Sequence, residues 1–113
     1  MKKDSNVFLL HILESIELIE KYIKDKNKED FNKSVQLQDS VIRRIEIIGE
    51  ATKALPQDIK KQYPDVPWKQ ISGMRDILIH KYSGVDLDLT WQTIIKDIPE
   101  LKKKVKRILE ELQ

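Results

Sequence analysis

The chain has 113 residues, 40% of them hydrophobic and 35% charged, which is one domain's length with enough apolar side chains to form a core. Three Gly, four Pro and no Cys argue against a turn-rich sandwich, a disulfide scaffold and a Cys-based zinc site. Lys+Arg number 21 and Asp+Glu 19, and a net charge of only +2 from so many charges points to solvated helix faces and away from a polybasic nucleic-acid binder.

The opening Met1-Lys-Lys-Asp-Ser-Asn-Val-Phe-Leu-Leu is basic and then apolar. Glu14, Glu17 and Glu20 interrupt that run at helical spacing, and no stretch of about 18 apolar residues follows anywhere. The expectation is no membrane span and a soluble cytoplasmic protein. A first helix is expected over 6–25, because Phe8, Leu9, Ile12, Leu13, Ile16, Ile19 and Ile23 recur with helical period. Leu10 and Leu18 widen that stripe beyond what one core contact needs. After a polar turn, a second helix is expected over 30–55, carrying Phe31, Val35, Val41, Ile45, Ile48 and Leu55 and pairing with the first as an antiparallel hairpin. Pro56 ends it. A short helix over 57–62 and a connector, Tyr63-Pro-Asp-Val-Pro67, should follow. The next helix opens at Trp68 and runs towards Tyr82, with Ser83-Gly84 as its stop. Beyond a linker over 85–87, a last helical region spans 88–112, and Pro99 should kink or split it near Asp97. The run Lys102-Lys-Lys-Val-Lys-Arg107 reads as a solvated outer face, with phosphate attraction as its rival reading. Trp68 and Trp91 should pack in the core, Tyr22 and Tyr63 should be amphipathic packing residues, and His11 should be structural. The expected fold is all-α: one domain over 1–113, a four- to five-helix up-down bundle with a kinked C-terminal helix.

The stretch from Gly73 to Tyr82 carries the chemistry. On one ideal helix Arg75 falls in the middle of an apolar face with Ile71, Leu78 and Tyr82. A guanidinium there needs partners or a wet cleft. Asp76 and His80, four apart, would be neighbours on that helix. A carboxylate beside an imidazole fixes its tautomer and favours the imidazolium. Such a histidine can exchange a proton with a ribose hydroxyl or a leaving oxygen, while an arginine holds the phosphate and stabilises added charge. These are the parts of a metal-independent phosphodiester cleavage. On an ideal helix, however, His80 lies about 140° round from Arg75. Either the helix unwinds before Ser83, or two protomers assemble the site about a twofold axis, with isologous packing of the first helix's wide apolar arc. Glu50, beside Gly49, is a candidate to pair with Arg75 or to line the cleft.

Arg75, four residues, His80, one residue and Tyr82 form an R-x4-H-x-Y pattern. With Val41-Ile-Arg-Arg-Ile-Glu-Ile-Ile-Gly-Glu-Ala51, Pro67-Trp-Lys-Gln-Ile-Ser-Gly-Met-Arg75, Tyr82-Ser-Gly-Val-Asp86 and the segment from Trp91 to Leu101, the chain resembles the HepT-like toxins of the HEPN superfamily over nearly its whole length. The resemblance implies a helical bundle that forms a homodimer, whose Arg and His line a cleft at the interface and cleave RNA with no metal or cofactor. By position, Arg75 and His80 would be the catalytic pair. Asp76 would be the supporting polar residue, at a place where the family frequently has Asn. The family's partner is a minimal nucleotidyltransferase antitoxin that transfers AMP to the motif tyrosine, here Tyr82, in a type VII-like toxin-antitoxin pair. A bulky anion on Tyr82 would occupy the cation's site and block substrate. The rival reading is a non-catalytic adaptor that binds nucleotide or nucleic acid as a subunit of a nucleotidyltransferase, and a blander one is a structural dimeric bundle. If the nuclease reading holds, near-neutral overall charge predicts substrate attraction that is local to the cleft.

Overall fold

The polar ends of each segment decide where the helices stop. In the computed structural model, which describes residues 2–80 and 84–112, α1 (Lys2–Ile23) ends in a turn where Asp25 takes a φ of 61°. That is the left-handed region, which Asp tolerates better than most residues. Leu9, Ile12, Ile16 and Ile19 of α1 are fully buried.

The helix expected over 30–55 is broken in two, α2 (Lys28–Lys33) and α3 (Val35–Ala54). Ser34 between them is extended, at φ −114° and ψ 101°, and its hydroxyl accepts from the Leu37 N–H at 3.0 Å. Asn27 and Asp30 cap α2 reciprocally, and Gln38 Nε2 donates to the Phe31 carbonyl at 2.9 Å. Side chains thus satisfy the orphan groups at both new ends, so the break is cheap. Its effect is to swing Phe31 into full burial, 5.6 Å from the Trp91 ring.

Pro56 ends α3, and α4 (Gln57–Gln62) falls where the sequence placed it. The connector after it is tied down. The Tyr63 carbonyl accepts from Val66 N–H at 3.2 Å and from Trp68 Nε1 at 3.0 Å, and Tyr63, Val66 and Trp68 are buried. The chain then forms α5 (Trp68–Ser72), α6 (Met74–Leu78), a strand pair β1 (Ile79–His80) and β2 (Gly84–Val85), and α7 (Leu87–Gln92). A π-helical turn over Thr93–Asp97 leads into α8 (Ile98–Glu111). The kink expected near Asp97 is present. It takes the form of a widened turn because Pro99 has no N–H to offer the Ile95 carbonyl and its ring crowds that oxygen.

α1 packs against α3 on one flank and α8 on another, and Lys102 Nζ of α8 sits 2.7 Å from Glu20 Oε1 of α1. Two neighbours within the chain thus cover the buried part of the first helix's apolar arc, while Leu10, which widens it, stays 52% exposed and Leu18 is half-buried. The basic run is likewise structural at three of its members. Arg107 Nη2 donates to both Asp65 oxygens at 2.9 and 3.2 Å, Lys104 Nζ donates to the Asp65 carbonyl at 2.8 Å, and Lys102 pairs with Glu20. The architecture is an all-α bundle, with α1, α3 and the α7–α8 rod as its long members and a single two-residue strand pair among the described residues. No described helix is long and apolar enough to cross a membrane.

Candidate functional site

The site is set by one close approach. A Cβ on Gly49 of α3 would lie 3.1 Å from the Ser72 carbonyl oxygen at the end of α5, tighter than ordinary van der Waals contact, so a side chain here would press the two backbones apart. Glu46 lies three residues earlier, on the same face of α3, and reaches over to α6. Gly73, at φ −102° and ψ 8°, separates α5 from α6 and resets the helical phase.

The single helix expected from Trp68 to Tyr82 is therefore not formed. It is interrupted at Gly73 and ends at Leu78, where Ile79 turns extended at φ −114° and ψ 121°. Ile79 pairs with Val85 and His80 with Gly84 in an antiparallel ladder. The Asp86 N–H donates to the Leu78 carbonyl at 2.7 Å, taking the acceptor that a continuing helix would have used. Gly84 has a φ of +79° with open space around it, so its backbone angle is what calls for glycine here. The unwinding expected before Ser83 is present, since the helix ends at Leu78, so the separation of about 140° on one continuous helix no longer applies. Tyr82 lies outside the described residues, as does the His80 side chain; the His80 backbone is in the ladder.

Three expectations about the motif change with the broken helix. Arg75 is not in the middle of an apolar face: its side chain is 45% exposed, with Nε 3.0 Å from Glu46 Oε2. Asp76 is not an i,i+4 helical neighbour of His80, since the helix stops between them. Asp76 is instead exposed, 3.7 Å from Arg75 Nη1. Glu50 is not the partner of Arg75 either. It is exposed and lies 4.0 Å from Arg43, while Glu46 Oε1 takes Arg43 Nη1 at 2.6 Å. The residues that sequence reading missed are thus Glu46 and Arg43. Their i,i+3 spacing was a usable signal for that pair. Nothing local connects Glu46 to Arg75.

Trp68 is buried as expected, and Trp91 is half-buried against the core. Tyr63 is buried and Tyr22 is half-buried, whereas His11 is exposed on α1. On the flank of α6 away from Arg75, a groove of about 410 Å³ opens between Met74, Ile77 and Leu78 on one side and Leu89, Ile98 and Leu101 on the other. Charge and apolar surface thus occupy different sides of one short helix. A guanidinium held by its Nε and still half open to solvent can offer its other N–H groups to a phosphate.

Comparison with known proteins identifies the family. Residues 12–108 match a family model described as Ribonuclease HepT-like. The chain is 60% identical over 112 residues to "Gamma-glutamylcyclotransferase and putative RNase" of Methanocaldococcus jannaschii, covering 99% of this chain and 50% of that protein. It is 46% identical over 108 residues to "Putative RNase" of Caldanaerobacter subterraneus subsp. tengcongensis, covering 96% of each. It is 44% identical over 108 residues to "Probable ribonuclease HepT" of Thermococcus cleftensis, covering 96% of this chain and 98% of that one. The chain therefore spans half the length of the first of these relatives and nearly all of the other two. No solved structure matches it. With the match running through α3, the R-x4-H-x-Y pattern and α8, the chain belongs to the ribonuclease HepT-like family.

Proposed function

We propose that the chain is a metal-independent endoribonuclease, the toxin of a type VII-like toxin-antitoxin pair. The observation that carries this reading is the half-exposed Arg75 guanidinium, standing in the family's motif and fixed by a carboxylate from another helix. In the reaction, the ribose 2′-oxygen attacks phosphorus and the bond to the 5′-oxygen breaks. The products are a 2′,3′-cyclic phosphate and a 5′-hydroxyl end. His80 exchanges a proton with the attacking or the leaving oxygen. Arg75 binds the phosphate and stabilises the charge that grows on it. Asp76 supports the pair electrostatically.

Purified protein incubated with RNA in EDTA tests the claim. Wild type should yield fragments with cyclic phosphate ends, and His80→Ala and Arg75→Ala should each lower kcat by roughly 10²–10⁴-fold. Identical RNA profiles from wild type and His80→Ala would sink it.

The same reading makes the protein a homodimer with a nucleotidyltransferase antitoxin as partner and Tyr82 as AMP acceptor. Tyr82 follows His80 by two residues in the sequence, and an anion added to it would compete with substrate for the motif's cation. Light scattering should give twice the 13.4 kDa chain mass. After co-expression with the nucleotidyltransferase, mass spectrometry should find AMP on Tyr82, and Tyr82→Phe should stay unmodified and toxic. An unmodified Tyr82 in a neutralised pair would reject the modification while leaving the nuclease reading intact.

A further inference from the structure

Glu46 lies outside the motif, yet it is the residue that holds the motif's arginine. Its two oxygens have separate tasks, Oε2 on Arg75 Nε at 3.0 Å and Oε1 on Arg43 Nη1 at 2.6 Å. We propose that Glu46 is a positioning residue for Arg75, fixing the guanidinium in the orientation that meets the scissile RNA phosphate. This rests on the nuclease reading given above.

An arginine that stays half-exposed samples many rotamers unless one edge is anchored. Glu46 anchors the Nε edge and leaves the rest of the guanidinium for ligand. The anchor is itself rigid. It sits on the 20-residue α3, its second oxygen is held by Arg43, and the approach of α3 to α5 is set by Gly49 against the Ser72 carbonyl. Asp76, the other carboxylate near Arg75, is 3.7 Å away on a 77% exposed side chain, so it is a weaker constraint. Positioning is worth most in the transition state, where a fixed donor costs no reorganisation.

Charge and positioning predict opposite signs when Glu46 is removed, and this makes the test sharp. Losing a carboxylate beside the site raises the local positive potential and should keep or tighten RNA binding. Losing the anchor should slow the chemical step. For Glu46→Ala, kcat is expected to fall tenfold or more, while the Kd for a non-cleavable 2′-O-methyl RNA does not rise. Glu46→Asp, which keeps the carboxylate of the ion pair on a shorter side chain, should recover part of the rate, and Glu46→Gln, which loses that charge, should recover less. The Arg75 Nε resonance, seen by NMR, should broaden or shift in Glu46→Ala relative to wild type as the guanidinium loses its ion-pair partner. The double variant Glu46→Ala/Arg75→Ala should be no slower than Arg75→Ala alone. Wild-type kcat in Glu46→Ala overturns the proposal. So does a rate loss in Glu46→Ala that is matched by unfolding or by weaker RNA binding, or one that persists in the Arg75→Ala background. If wild type, Arg75→Ala and His80→Ala all leave RNA equally intact, the nuclease reading fails and this inference falls with it. An active wild type with an indifferent Glu46→Ala removes only the inference.

Discussion

Tyr63 and Asp65 show how single side chains tie the connector to the last helix. The Tyr63 hydroxyl donates to Glu111 Oε1 at 2.9 Å, and Arg107 lies 5.9 Å over its ring while forking onto Asp65. Burial first, and then the hydrogen bond to Glu111, pushes the Tyr63 hydroxyl above its ordinary 10.0. A raised folded pKa contributes stability that is present below pH 10 and is lost as pH rises through the folded value. Tyr63→Phe should therefore cost about 0.5–1 kcal/mol at neutral pH and flatten the alkaline fall of Tm, a comparison that thermal melts between about pH 8 and 11 would make. Asp65 has the opposite sign. The hydrogen bond from Arg107 is the largest cause holding its carboxyl below the usual carboxylate value. Its contribution is present above that ordinary value and is lost as pH falls through the depressed one. Asp65→Asn should lower Tm slightly at neutral pH and remove part of the acid-side slope. An unchanged acid limb would mean that the fork is an ornament of the surface.

At the scale of elements, two glycines place the site and neither can be exchanged freely. Gly49→Ala gains about 1 kcal/mol of helix propensity, but the new methyl meets a backbone carbonyl at 3.1 Å that no rotamer change can move. The net effect should be a lower Tm, and the Glu46–Arg75 pair should loosen with it; a raised Tm with full activity would contradict this. Gly84→Ala meets no neighbour yet must hold φ +79°, costing about 1 kcal/mol. Hydrogen exchange should show it, because protection of the Asp86 amide, bonded to the Leu78 carbonyl, should fall. These elements also show what the sequence could and could not reveal. Periodicity located α1, the hydrophobic face of α3 and the kink before Pro99, because burial imposes a repeat that composition displays. The stop at Ser34 was written in side-chain capping chemistry that a hydrophobic repeat overrides. The end of α6 was not legible, since Ile77-Leu-Ile79 suits helix or strand alike and the choice is made by Val85 and Asp86 folding back. The motif spacing exposed Arg75, but its partner Glu46 comes from another helix, and only packing joins them.

For the whole molecule, the low net charge acquires a structural cause. Lys102, Lys104 and Arg107 are committed to Glu20 and Asp65, so the strongest basic run in the chain mainly holds the bundle together. RNA attraction should then be confined to the neighbourhood of Arg75. Titrating RNA binding against salt should give a shallow slope. Arg75→Ala should reduce it by about 0.7, the share of one contact to single-stranded nucleic acid, while the exposed pair Lys103→Gln/Lys106→Gln should leave it unchanged. A slope that drops with the lysines would return the run to the substrate. The π-helical turn over Thr93–Asp97 has a consequence of another kind, for chain length. A wide turn is an α-helix that has accepted an insertion, so a relative with a regular helix here should be one residue shorter between the counterparts of Trp91 and Pro99. Deleting the exposed Ile95 from this chain should close the wide turn into regular α-helix and leave everything after it in register. Leu101, Val105 and Ile108 would then stay in the core, whereas loss of one residue past the turn, at Lys102, would rotate Val105 and Ile108 by about 100° and unfold the product.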